Sequence, residues 1–208
     1  MTEPSLDHVV VAAPDVDHLV RSFHDRTGVE PVLGGRHESR GTRNHLVSLG
    51  DMAYLELIGP DDPNAPGPLP SIFGIDRLAE PRVAAWKVRN GDIEATVAGA
   101  RSRGYDPGDV GPLSRRTPDG TLLEWRLTQG PPTDYDGLVP GLIDWQDSPH
   151  PTSAGLPEVR LIALAGQHPE PDAVRKALDA LGVELDVRPG DAGLDVTLDT
   201  PNGEVHLR

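Results

Sequence analysis

One order of elements, a strand, a helix and then three strands, can be read three times along this chain, and that repetition limits its fold more than any other feature. Leu6 to Ala13 is a short β-branched run and reads as a strand. Asp15 offers an N-cap, and Val16, Leu19, Val20 and Phe23 fall at i, i+3, i+4 and i+7, one face of a helix that Gly28 closes. Strand-like pieces follow at Val29–Leu33, Thr42–Leu49 and Met52–Ile58, the last two joined by a Gly50-Asp51 turn. The order returns at Arg82–Leu127, with a strand at Val83–Val88, a helix at Asp92–Arg103 and short strands near Tyr105, Leu113–Arg116 and Thr121–Leu127. It returns again at Val159–Leu207, with a strand at Val159–Ala165, a helix at Pro171–Leu181 and strands at Val183–Val187, Gly193–Leu198 and Glu204–Leu207.

A βαβββ unit carries its helix on one face of the sheet, so the other face must meet something. Pairing two such sheets leaves a cleft between them, a common place for ligands. The expected class is therefore α+β, with paired modules at 5–59 and 81–129 forming one domain over 5–130 and a third unit at 157–208. Between them, 131–156 reads as a connector with one strand, Leu138–Trp145, and the proline-rich Pro60–Leu69 reads as a loop or lid. The odd unit is left with a face to cover. It either pairs with a second copy, giving a homodimer, or packs against the connector.

Composition narrows the function. Of 208 residues, 33 are acidic and 19 basic, for a net charge of −14, and a nucleic-acid footprint needs a basic surface instead. The absence of cysteine removes disulfides, thiolate zinc sites and thiol nucleophiles. No apolar run nears the roughly 20 residues that span a bilayer, and the first residues have no signal-peptide character. A cytoplasmic protein with a small-molecule ligand, and neither a nucleic-acid nor a membrane partner, is expected. The 23 Gly and 22 Pro fall between the periodic segments and read as turns.

Strand alternation then selects cleft residues. If Val9 and Val11 face the helix, His8 faces the open side; if Leu55 and Leu57 face the helix, Tyr54, Glu56 and Ile58 face the open side. Counting from the hairpin at Asp119-Gly120 puts Trp125 at the second unit's equivalent of Glu56, and Trp86 lies at or beside that of His8. Indoles there read either as core filling or as an aromatic wall that stacks a ligand. Asn44 shares the alternation class of Leu46 and Ser48, so it either hydrogen-bonds a ligand or caps a bulge. His37, in a Gly-rich loop, lies at the cleft mouth or in solvent, and Arg115 is an anion clamp or a surface ion-pair partner. His150, His168 and His206 are assigned no role.

As a set, Leu6-Asp7-His8-Val9-Val10, Gly34-Gly35-Arg36-His37 with Gly41-Thr42-Arg43-Asn44, Tyr54-Leu55-Glu56-Leu57-Ile58, Ser114 to Gly120 and Leu142-Ile143-Asp144-Trp145 resemble the glyoxalase-like domain family. Its superfamily, the vicinal oxygen chelate proteins, is built of tandem βαβββ units. The resemblance covers roughly residues 5 to 150, and the third unit resembles an appended half-module. It implies metal ligands on the first and last strands, a position matched by His8 and Glu56, which suit Zn, Ni, Fe or Mn. Trp offers only an N–H donor, so the second unit adds no ligand, and two are fewer than the usual three or four. His8 and Glu56 thus either share a divalent metal or form a buried hydrogen-bonded pair. The resemblance further implies substrates with adjacent oxygens and lyase, isomerase or dioxygenase chemistry, with Glu56 as base, His8 as its partner and Arg115 on the anionic end. The other reading is a metal-free protein that sequesters an apolar compound, as resistance members of the superfamily do.

Overall fold

Alternation along the first strand sets the layers of the molecule. In the computed structural model, which describes residues 4–64, 66–89, 91–130 and 134–208, β1 (Ser5–Ala12) sends Val9 and Val11 into a core shared with Leu19 and Phe23 of α1 (Val16–Thr27). Val10 and Ala12 turn the other way and pack with Ile58 and Ile75. The ends of α1 are set locally: Asp15 accepts a hydrogen bond from the His18 amide at 3.0 Å, and Gly28 takes the left-handed conformation that ends the helix, φ 74°.

Three strands follow, β2 (Val32–His37), β3 (Thr42–Gly50) and β4 (Ala53–Pro60), the last returning parallel to β1. The second half repeats this with β5 (Arg82–Arg89), α2 (Ile93–Ser102), β6 (Asp109–Arg116), β7 (Leu122–Gln129) and β8 (Gly141–Asp144). The eight strands close into a barrel of order β1-β4-β3-β2-β6-β7-β8-β5. One seam is the long antiparallel β1–β5 pairing; the other is a single pair, Arg36 with Arg116, between β2 and β6. Leu55, Leu57, Val83, Val88, Ile93 and Val97 fill the layer between barrel and helices, each such side chain worth about 1.5–3 kcal/mol of burial.

Three expectations need correction. The connector strand belongs to the barrel: β8 runs parallel to β5 and antiparallel to β7, as β4 does to β1 and β3, so β8 and not β7 is the counterpart of β4. Only four residues long and well separated from β7, it carries too little periodicity to be grouped with its partners. The strand after α1 lies at Val32–His37 rather than Val29–Leu33, and 105–108 form no strand.

The last unit keeps the expected order but has its own pairing. β9 (Arg160–His168), α3 (Pro171–Leu181), β10 (Asp186–Pro189), β11 (Gly193–Thr200) and β12 (Gly203–Leu207) follow the expected chain order, but the sheet order is β10-β9-β11-β12. Here the strand after the helix pairs parallel with β9 and the last strand sits at the edge, so the pairing is not that of the barrel halves. Leu194, Val196 and Leu198 share one core with Leu178 of α3 and with Val88 and Leu138 of the barrel. Gly166 faces Leu138 so closely that a Cβ there would lie 2.8 Å from its Cδ2, and Arg103 donates to the Ala180 carbonyl at 2.9 and 2.6 Å. The apolar side of this sheet is thus covered by α3 and by the connector and barrel of its own chain. Among the described residues, no helix is long and apolar enough to cross a membrane.

Candidate functional site

The barrel encloses a cavity of about 650 Å³ lined by side chains from both halves, the size of a small-molecule site. Its chemistry begins at a β-bulge. The pairing of β1 with β5 slips between Leu6 and His8, which frees Asp7 from strict alternation. Asp7 is fully buried and accepts from His8 Nδ1 at 2.6 Å, Trp145 Nε1 at 3.0 Å, His150 Nε2 at 3.2 Å and Arg89 NH1 at 3.3 Å. Burial alone would raise its pKa, but the bonds from His150 and His8 override this and hold the carboxyl well below the usual carboxylate range.

With Nδ1 committed to Asp7, His8 points Nε2 into the cavity, 3.9 Å from Glu56 Oε2. The imidazole stacks on Tyr54 at 4.7 Å between ring centroids. Glu56 comes from β4, whose Leu55 and Leu57 lie in the helix layer while Tyr54, Glu56 and Ile58 line the cavity. Its Oε1 accepts from Asn44 Nδ2 at 2.5 Å, and the Asn44 Oδ1 beside it is buried with no hydrogen-bond partner. Burial pushes the Tyr54 phenol well above its ordinary range, so it stays protonated.

His37 also lines the cavity, but from strand β2 rather than from a loop at its mouth: Gly34 and Gly35 are strand residues, and His37 pairs with Thr42 on β3. Its Nδ1 lies 3.1 Å from Thr42 Oγ1. Burial, opposed by Glu56 and reinforced by Arg115, lowers its pKa to about 4, so the ring is neutral at pH 7. Arg115 points inward, 4% exposed, with NH1 bonded to the Gly34 carbonyl. Burial lowers its pKa, opposed by Tyr54 and Glu56.

The two indoles separate. Trp125 lines the cavity and packs against Trp145 at 5.0 Å between centroids. Trp86 does not reach the cavity. It lies in the helix layer with its Nε1 donating to the Leu138 carbonyl at 2.9 Å, which corrects its placement as a ligand wall. The reason is register: Trp86 is opposite Val9, a helix-facing residue, and His8 is opposite Lys87. Lys87, beside Trp86, is thus the charged β5 residue that lines the cavity, together with Ala85. Asp7 and His150 were missed for related reasons, since neither a bulge nor a loop folding back on β1 leaves a periodic mark.

A metal set is not completed here. His8 Nε2 and Glu56 Oε2 could ligate together, but β5 and β8 offer Lys87, Gly141 and Ile143 across from them. No cluster of three His, Cys, Asp or Glu able to hold an ion occurs among the described residues. A cation-bearing wall opposite two donors does not fit a resident divalent metal.

Comparison with known proteins adds the family. The profile described as a glyoxalase-like domain matches residues 6–182. No curated protein sequence matches the chain. A hypothetical protein from Staphylococcus aureus has a similar structure, with a TM-score of 0.60 at 15% identity over 97% of this chain and 83% of that one, a likeness of fold alone. Methylmalonyl-CoA epimerase from Mycobacterium tuberculosis aligns with a TM-score of 0.41 at 23% identity over 66% of this chain and 85% of that one. A hypothetical protein from Bacillus halodurans aligns with 0.45 at 13% identity over 71% and 99%.

Proposed function

Since the chain belongs to the glyoxalase-like domain family of the vicinal oxygen chelate superfamily, we propose that it is a small-molecule enzyme of the lyase or isomerase kind that works by proton transfer at Glu56. The observation that carries this reading is the chain of contacts Asp7–His8···Glu56–Asn44 across the floor of the cavity. Asn44 holds one carboxylate oxygen of Glu56 and leaves Oε2 toward the cavity, where it takes a proton from a carbon next to a carbonyl. His8, oriented by Asp7, exchanges a proton through Nε2 with the oxygen on which charge develops. Arg115 adds positive potential for an anionic end of the substrate. The proton then returns to carbon, or a β-substituent leaves with the electron pair.

We read the barrel as two paired βαβββ halves and 157–208 as a sheet added to it. A second reading, a protein that sequesters its ligand without reaction, is favoured by the apolar wall of Tyr54, Ile58, Trp125 and Ile143. Deuterium exchange separates the two. Hydroxy and oxo acids incubated with the protein in D2O are followed by NMR for label at the acidic carbon. Label that depends on Glu56 supports the enzyme; tight binding with no label from any candidate supports the sequestering protein.

A further inference from the structure

The charges inside the cavity do not cancel. Lys87 and Arg115 both line it, and among the described residues neither has a carboxylate partner within ion-pairing distance. Glu56 is the acid that faces them. Of the other charged residues on the wall, Arg40 and Asp106 are exposed at the rim, and Asp106 is bonded to Arg101 at 2.8 Å. Asp7, behind His8, has Arg89 at 3.3 Å. The interior therefore carries one positive charge more than negative when Glu56 is ionised, inside a chain whose net charge is −14.

The two cations are not equivalent. Arg115 spends NH1 on the Gly34 carbonyl. Lys87 has no hydrogen bond among the described residues, and its Nζ lies 5.9 Å from the centroid of Phe73, another wall residue. Space for that ammonium is provided by a glycine: a Cβ on Gly141 would come within 2.5 Å of Lys87 Nζ. A half-buried ammonium that lines the cavity with no carboxylate or hydrogen-bond partner among the described residues is placed where a ligand can supply the counter-charge. Burial lowers the Lys87 pKa and Glu56 pulls it back up, in keeping with that position.

We infer that the substrate is a small monocarboxylate and that Lys87 takes its carboxylate, with Arg115 contributing field rather than the principal contact. This deepens the proton-transfer reading and rests on it for the word substrate, while anion binding itself stands apart. One bound negative charge balances the interior, and an ammonium has three N–H donors from which to bond it. Lys87 reaches the cavity from β5 and Glu56 from β4, on either side of β1. A carboxylate on Lys87 leaves the adjacent carbon facing the Glu56 side.

Calorimetric titration with lactate, mandelate and phenylpyruvate, each against its neutral amide, tests this on the full-length protein. At least one acid binds about tenfold or more tighter than its amide. Lys87→Met removes that preference, Lys87→Arg restores part of it, and Glu56→Gln keeps it while slowing deuterium exchange by about 10²–10⁴-fold. Melting curves confirm that each variant is folded. No acid preference in the wild type, or a preference unchanged in Lys87→Met, overturns the inference even if exchange at Glu56 stands. A Lys87-dependent preference without exchange supports it and overturns the proton-transfer reading instead.

Discussion

Nδ1 of His8 lies 2.6 Å from Oδ1 of Asp7, its own neighbour in the chain, and this contact between consecutive residues turns Nε2 toward Glu56. Asp7 also ties Trp145 and His150, from the far end of the barrel sequence, to the first strand. Asp7→Asn leaves those donors and Arg89 around a neutral amide, and breaking a buried charged network costs about 3–5 kcal/mol. The expected result is a lower denaturation midpoint in urea. A change under about 1 kcal/mol contradicts the role given to Asp7.

Glu56→Gln keeps an oxygen for the Asn44 amide and removes the base. Stability should change by about 1 kcal/mol or less, and the rate of deuterium exchange should fall by about 10²–10⁴-fold. Retained exchange in this variant removes Glu56 from the mechanism.

His37 makes the protein sensitive to mild acid. Its folded-state pKa is about 4 against 6.5 for an ordinary imidazole. Below pH 6.5 the unfolded chain binds a proton that the folded chain refuses until about pH 4, so stability is full above this window and falls as the pH drops through it. The loss reaches at most about 3 kcal/mol. Melting temperatures of the wild type and His37→Gln, measured from pH 7 to 4, should converge as the pH falls; parallel curves count against it.

Trp86 and Trp125 should respond oppositely. Trp86→Phe leaves the Leu138 carbonyl without its donor and opens space in the core, costing about 2 kcal/mol with ligand affinity unchanged. Trp125→Leu removes part of the cavity wall and should weaken binding of an aromatic acid several-fold. Calorimetry and urea unfolding on both variants give the comparison.

A chain ending at residue 156 exposes Val88, Val97 and Leu138 on the side where Leu178, Leu194 and Val196 now pack. It should aggregate or melt far below the full protein. A stable, folded product on gel filtration and circular dichroism shows that the barrel is independent of the last sheet.

Local order was legible from residue types alone. Asp15 and Gly28 mark the ends of α1, and the alternation Tyr54, Leu55, Glu56, Leu57 divides cavity from core, because capping and side-chain direction depend on only a few neighbouring residues. Pairing was decided by tertiary structure. The register of β1 on β5 chose Lys87 over Trp86, a bulge brought Asp7 to His8, and closure of the barrel drew in β8. The last sheet shares an element order with the barrel halves yet pairs differently. A strand carries its two faces in its own sequence, but its partner and its register come from contacts with segments tens of residues away. A slip of one position exchanges an indole for an ammonium.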